Sequence, residues 1–331
     1  MIIESTTFNP HKKHYTNALV YLVQNKKFTK KNQFGFAREN VTTRIELFFK
    51  SLSYFIDHQN HQDESVDIHI FHEGDLEEEH FTRTTTIAKR CLVFFHHVEF
   101  RLPEWISSKE VNESIASNTT PGWRDMGYRH MCRFYSILIY PQLLRWGYRK
   151  MMRLDDDSFV MEPLPLLFKS VSPENPYKCR LLQQESNKFA YDFYQEYHAF
   201  CDLYKIPCPD KSYDFYVIPF NNMFVLDLSI YERTDVKNYL QYMDKTGGIY
   251  RYRWGDALIQ GVMIRQLCNI RDISLFRFSY SKWGITFDKD HTFLELYEDM
   301  LPLEELKGRT SVIFIFIACC TIIIFLLFLI K

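Results

Sequence analysis

Three short apolar stretches, NALVYLVQN (17–25), SVDIHIFHEGD (65–75) and RKMMRL (149–154), are separated by helical patterns. That order constrains the fold more than any other feature. The segment FARENVTTRIELFFKSLSYFIDHQ between the first two carries Ile45, Phe48, Phe49, Leu52, Phe55 and Ile56 at helical spacing. HVEF (97–100) reads as a further short strand, and YRHMCRFYSILIYPQLLRWG (128–147) as a helix interrupted near Pro141. Strand, helix, strand, helix, strand predicts an α/β fold with a mostly parallel central sheet. Ligands of such sheets bind beyond the carboxyl ends of the strands.

At the end of the third stretch stand three consecutive carboxylates, Asp155, Asp156 and Asp157. Adjacent acids repel one another, so they are either solvated in a loop or gathered around a cation. Asp-x-Asp at a strand end suits a hard divalent ion, Mg²⁺ or Mn²⁺. Such an ion neutralises a diphosphate leaving group. On its own the triplet is more readily a solvated acidic loop. Its place between KMMRL and the apolar SFVM makes the site reading more specific. Side chains alternate along an extended chain, which predicts that Asp155 and Asp157 share one face and Asp156 the other.

Further along, YVIPFNNMFVLDLSIY (216–231) holds one or two strands. Residues 233–267 predict a helix ending near Gly247 and Gly248, a loop, and a helix opened by Asp256. No linker rich in Pro, Gly or Ser divides the chain, which predicts one domain over residues 1–310. The formal net charge is −1, which gives no electrostatic pull toward nucleic acid. Among the eight cysteines there is no CxxC pair, which argues against a zinc ribbon.

The C-terminal end differs. Residues 312–330 are 19 uncharged, mostly Ile, Phe and Leu positions. As a helix they span ~28 Å, close to the thickness of a hydrocarbon core. Residues 311–331 are therefore expected to be a single transmembrane anchor. The N-terminus lacks the apolar core of a signal peptide. Together these predict a C-terminally anchored protein whose residues 1–310 face the cytosol. The sequons at Asn40, Asn112 and Asn118 would then stay unmodified.

PEWI, YRHMCRFYSILIYPQLL, YRKMMRLDDDSFV and YLQYMDKTGGIYRYRWGDA occur in this order in the chain and resemble the fungal α-1,2-mannosyltransferase family. The resemblance runs over roughly 17–280. It implies a GT-A-like fold, GDP-mannose as donor, Mn²⁺ (or Mg²⁺) as cofactor, retention of configuration, and a glycan, glycoprotein or glycolipid acceptor. It also implies a Golgi or ER membrane location with a lumenal domain, the alternative to the cytosolic reading.

Carried over by position, Asp155 and Asp157 match the metal-binding acids, where the family normally has Glu-Pro-Asp. Tyr128, Arg129 and Arg133 match a string used around the donor; Arg forks diphosphate oxygens and Tyr bonds or stacks. The lesser alternative for Tyr128 and Arg129 is ordinary packing of an amphipathic helix. Arg153 is placed to pair with the acids or with phosphate, and Asp156 is counted with the donor-binding group. Asp256 matches an acid near the acceptor, and is equally a helix-opening residue. Trp254 is a sugar platform or, more commonly, core.

Two departures stand out. Phe224 falls where the family has a Glu proposed as nucleophile or oxocarbenium stabiliser. Asn221, Asn222 and Asp227 remain nearby, and Asn222 and Asp227 join Asp256 as catalytic candidates. The family also places a metal-ligating His in a GYHH-like string, where this chain reads FSYSKWG (278–284). His291 is the substitute candidate. Three readings follow: a mannosyltransferase, a related transferase with a UDP-sugar donor, and an inactive membrane-anchored module that binds a glycan or a partner.

Overall fold

The structure is a computed structural model. It describes residues 2–8, 14–27, 43–59, 66–116, 126–186, 189–208, 216–270, 273–282, 285–290 and 293–294. The apolar run at 312–330 and His291 lie outside the described residues. Among the described residues no helix is long and apolar enough to cross a membrane.

The chain opens with β1 (Ile2–Phe8), β2 (Asn17–Leu22), α1 (Arg44–His58), β3 (Asp67–His72), α2 (Glu78–Ile87) and β4 (Val93–Glu99). It continues through α3 (Ser108–Ala116), α4 (Met126–Arg133), α5 (Ile139–Arg145), β5 (Lys150–Leu154) and β6 (Ser158–Val160). Next come β7 (Tyr177–Cys179), β8 (Leu182–Gln184), α6 (Phe193–Tyr204), β9 (Val217–Pro219) and β10 (Met223–Asp227). The last elements are α7 (Thr234–Thr246), α8 (Gly248–Arg251), α9 (Asp256–Val262), β11 (Ser274–Leu275), β12 (Tyr280–Lys282), β13 (Ile285–Phe287) and β14 (Phe293–Leu294).

The strands expected from the sequence form the middle of an eight-stranded sheet of order β1-β4-β3-β2-β5-β10-β7-β11. β4, β3, β2 and β5 are mutually parallel. The sheet is mixed rather than mostly parallel. β1 pairs antiparallel with β4, and β10 antiparallel with both β5 and β7. The parallel block comes from the strand–helix–strand crossovers. β10 arrives after the long excursion through β6 to β9 and enters from the opposite end. Strand β1 has no counterpart in the sequence reading, and its exposed Glu4 to Thr7 lack the buried alternation that would mark a strand.

Both faces of the sheet are covered, which explains the continuous apolar runs. Ala18, Val20, Met151, Phe224 and Leu226 face one core, shared with Phe134, Tyr135, Leu258 and Val262. Leu19, Tyr21, Met152, Leu154, Met223 and Val225 face the other, against Phe48, Phe49, Leu52 and Phe55 of α1.

The break expected at Pro141 is a single π-helical turn, Phe134–Leu138, between α4 and α5. Proline lacks the N–H that would bond the carbonyl four residues back, and a wide turn accommodates the mismatch. The Tyr135 carbonyl instead accepts from Gln260 Nε2 at 2.7 Å, which ties this helix to α9.

Candidate active site

β5 ends at Leu154, and the three acids form the turn into β6 at the carboxyl end of the parallel block. The turn is held by its backbone. Asp155 N donates to Asn222 O at 2.9 Å, and Ser51 Oγ of α1 donates to Ser158 O at 2.6 Å.

Each acid has a covalently supplied cation. Asp155 accepts from Arg153 Nε at 2.8 Å and from Lys282 Nζ at 3.0 Å. Lys282 also donates to Asp157 Oδ1. Asp156 accepts from the Arg44 guanidinium, with Nε at 2.9 Å. One ammonium, from β12, spans Asp155 and Asp157, while Arg44 of α1 takes Asp156 and stands 3.9 Å from Asp157 Oδ2. Burial opposes ionisation of Asp155, but Arg153 and then Lys282 outweigh it and hold its carboxyl below the ordinary range. Burial raises the Asp156 carboxyl to about 6, with Asp157 adding to the rise and Arg44 opposing it.

Arg153 bridges the two halves of the site. It is buried, lies 3.7 Å over the Tyr135 ring, and pairs with Asp155 on one side and Asp256 on the other. Asp256, in the first turn of α9, also accepts from Asn221 Nδ2 at 2.9 Å. An acid there is favoured by the helix dipole. Asn222 Oδ1 accepts from Tyr280 Oη at 2.7 Å. Asp155, Asp156, Asp157, Arg153, Asp256 and Asn222 are thus brought together.

Other candidates fall elsewhere. Arg129 is fully buried and donates to the Tyr250 carbonyl, an internal brace between α4 and α8 rather than a donor contact. Arg133 forks onto Asp244 of α7. Asp227 lies at the far end of β10, in register with Lys150, and accepts from Ser229 N and Oγ. Because β10 is antiparallel to β5, Asn222 stands beside the acids while Asp227 stands five residues further on at the other end of β10, about 17 Å away. Tyr128 lies at the edge of the site, its ring centroid 5.0 Å from the Arg253 guanidinium. Trp254 is core: fully buried, it packs on Gly248 and donates to Tyr191 O at 2.7 Å. Phe224 is buried opposite Arg153 and stacks on Tyr177, so it brings no carboxylate.

Three participants escaped the sequence reading. Arg44 comes from the first turn of α1, and Lys282 from FSYSKWG, the string read only for its lack of His. The third is Glu185, half-buried just after β8. A Cβ on Gly255 would stand 3.8 Å from its Oε2, which puts it beside the start of α9. Burial raises the Glu185 carboxyl to about 7, with Asp256 adding to the rise and Arg253 opposing it. Its signal was an acid next to a strand end, too common to single out.

The donor set does not fit a divalent ion as placed. Among the described residues no group of three His, Cys, Asp or Glu side chains is able to hold one. The point between Asp155 and Asp157 is filled by the Lys282 ammonium, whose side chain is 4% exposed. A doubly charged ion ~3 Å from that ammonium would be repelled by roughly 10 kcal/mol at an effective dielectric of about 20.

Known proteins share parts of this sequence and its fold. A family profile described as glycolipid 2-alpha-mannosyltransferase matches residues 183–287. The probable mannosyltransferase MNT3 of Candida albicans is 25% identical over 212 residues, covering 53% of this chain and 50% of that protein. The probable mannosyltransferase KTR3 of Saccharomyces cerevisiae is 24% identical over 191 residues, covering 53% of this chain and 47% of that protein. The chain spans about half the length of these curated relatives. Core-mannan synthase A (CmsA/Ktr4) of Aspergillus fumigatus, solved in a Mn/GDP form, superposes with a TM-score of 0.67 at 17% identity. That match covers 83% of this chain and 76% of the other. Ktr4p of S. cerevisiae in complex with GDP gives 0.66 at 15% identity, covering 86% and 75%. The chain therefore resembles the fungal mannosyltransferases in sequence and shares their α/β glycosyltransferase fold.

Proposed function

We propose that the chain is a retaining glycosyltransferase that moves a hexose, mannose from GDP-mannose, to a glycan, glycoprotein or glycolipid acceptor. The observation that carries this reading is the Asp155–Arg153–Asp256 bridge at the carboxyl end of the parallel strands. It joins the acid triplet to the start of α9 within the fold of GDP-binding neighbours. Similarity to mannosyltransferases supports the choice of sugar.

In this reading the donor diphosphate lies over the turn at 155–157, within reach of Arg44 and Arg153. Arg153 holds charge developing on the leaving diphosphate, and Asp256 keeps Arg153 in place. Asn222 orients the turn through Tyr280 and its own backbone. Glu185, kept protonated to about pH 7, sits beside Asp256 and is the carboxylate that takes the acceptor hydroxyl proton once ionised. With Phe224 in place of an acid, a front-face displacement is favoured over a covalent glycosyl intermediate. Mn²⁺ is what the resemblance implies, but Lys282 fills the place between the acids, and no step is routed through a metal.

The proposal keeps residues 1–310 as one domain and 311–331 as a membrane anchor, on the apolar run alone. The test is calorimetry on the full chain with GDP-mannose, GDP, UDP-glucose and UDP-N-acetylglucosamine, followed by detection of sugar transferred to mannose oligosaccharides. Selective binding of GDP-mannose with transfer supports the reading. Binding of a UDP-sugar replaces the donor, and no binding by folded protein replaces the enzyme with a binding module.

A further inference from the structure

We propose that the Lys282 ammonium is the resident cation of the donor site, so that the nucleoside diphosphate is held without a divalent metal ion. The proposal rests on the donor reading above but adds a property that the Mn/GDP neighbour does not share.

The geometry is built, not incidental. β12 pairs antiparallel with β6, and the register sets Lys282 opposite Ser158, the residue after the last acid. Tyr280, two positions earlier on the same strand, meets Ser158 Oγ at 2.8 Å and Asn222 Oδ1 at 2.7 Å. Arg180, buried on the other side, donates to Phe278 O at 2.7 Å and to Asp288 O, which clamps both ends of the β12–β13 hairpin. Lys282 is therefore delivered to the acids by three independent ties.

Charge completes the argument. Three carboxylates at Asp155, Asp156 and Asp157 meet three cations, Arg153, Arg44 and Lys282, each in direct contact. Arg153 is shared with Asp256, so four carboxylates meet three cations, and side chains of the chain itself supply most of the neutralising charge. Adjacent buried acids are tolerated only when each is paired, and here each is. A buried lysine between two carboxylates also denies a divalent ion its oxygen ligands, since both are already hydrogen-bonded to an ammonium.

The experiment uses the full chain, freed of metal with chelator. Mn²⁺ binding is read directly by loss of the free-ion electron paramagnetic resonance signal, and GDP binding by calorimetry with chelator or with Mn²⁺. The expected result is no stoichiometric Mn²⁺ uptake by the native chain and a GDP Kd that changes less than about threefold between the two conditions. Lys282→Ser, which frees Asp155 Oδ2 and Asp157 Oδ1, is expected to take up one Mn²⁺. Its GDP affinity falls about tenfold or more in chelator and recovers in part with Mn²⁺. Lys282→Arg is expected to stay indifferent to Mn²⁺.

Uptake of one Mn²⁺ by the native chain, lost in Asp157→Asn, overturns the proposal. So does a tenfold Mn²⁺-dependent gain in GDP affinity. If folded native chain binds no GDP under either condition, the donor reading fails. The Mn²⁺ titration then still decides the cation, with uptake overturning its assignment to Lys282 and no uptake upholding it. Asp157→Asn only locates the ion; Mn²⁺ uptake and the Mn²⁺ dependence of GDP affinity are read on the native chain, and either of them overturns the proposal even where a variant fails to fold.

Discussion

Arg133 and Asp244 form a two-pronged pair, Nε to Oδ1 at 2.7 Å and Nη2 to Oδ2 at 2.8 Å, that locks α4 against α7. Both side chains are nearly covered, at 11% and 12% exposure. A string that reads as donor-binding is here a brace between helices. Arg133→Ala leaves Asp244 without its fork in a poorly solvated place and is predicted to cost about 3 kcal/mol. Donor affinity should be unchanged. Urea unfolding together with nucleotide titration checks it, and a large loss of GDP affinity without loss of stability would return Arg133 to the donor site.

Asp256 and Asp227 were equal candidates in the sequence and are unequal in the structure. Asp256→Asn keeps the shape but weakens the hold on Arg153, and transfer is predicted to fall roughly a hundredfold or more. Asp227→Ala removes an acceptor that serves Ser229 at the start of the 3₁₀ turn Leu228–Glu232. It should cost about 1 kcal/mol of stability and leave the transfer rate within about twofold. Side-by-side single-turnover rates and thermal melts separate the two roles.

Glu185 supplies a pH prediction. Its carboxyl rises from the ordinary 4.5 to about 7 on folding, mainly by burial. A raised carboxylate favours the folded state while protonated, so its contribution is full below pH 4.5 and is lost as pH rises through about 7. Glu185→Gln should therefore gain stability relative to the native chain between pH 5 and 8. Its transfer rate should lack the rise near pH 7 that the proposed proton transfer to Glu185 predicts for the native chain. Guanidinium melts and rate profiles across that range test both, and an unchanged rate profile would remove Glu185 from the proton transfer.

Gly248 is packed against Trp254 so closely that a Cβ would stand 2.3 Å from the indole Cε3. Gly248→Ala is predicted to destabilise by about 3 kcal/mol, at the upper end of overpacking costs, because the ring is fully buried and cannot yield. Trp254 fluorescence should shift toward the red as the ring moves. A neutral substitution would mean that the α7–α8 connection gives way more easily than its packing implies.

The GGIYRYRWGDA string was legible for physical reasons that are local. Gly247 takes φ +70° as the residue that ends α7, and Asp256 opens α9, as the glycine and the acid predict. The same holds for α1, whose stripe of Phe48, Phe49, Leu52 and Phe55 is buried, and for the strands that end at Leu22, His72 and Leu154. The identity of most site acids was legible too, because a carboxylate cluster at a strand end has few explanations.

Of the partners of those acids, only Arg153, two residues before Asp155, was legible. Arg44 lies 112 positions from Asp156, Asp256 lies 103 from Arg153, and Lys282 lies 125 from Asp157. Periodicity along the chain reports which face of an element is buried, not which distant element it meets. Only the sheet register, with β10 reversed beside β5 and β12 laid on β6, decided that Asn222 stands in the site and Asp227 outside it. The same register seats an ammonium between two acids. By itself the sequence determined the strands of the parallel block and the helices α1, α7 and α9, and placed three acids at the end of a strand. The tertiary structure decided which cation answers them, because a charge is matched by whatever the fold brings within about 3 Å, however far away it lies in the chain.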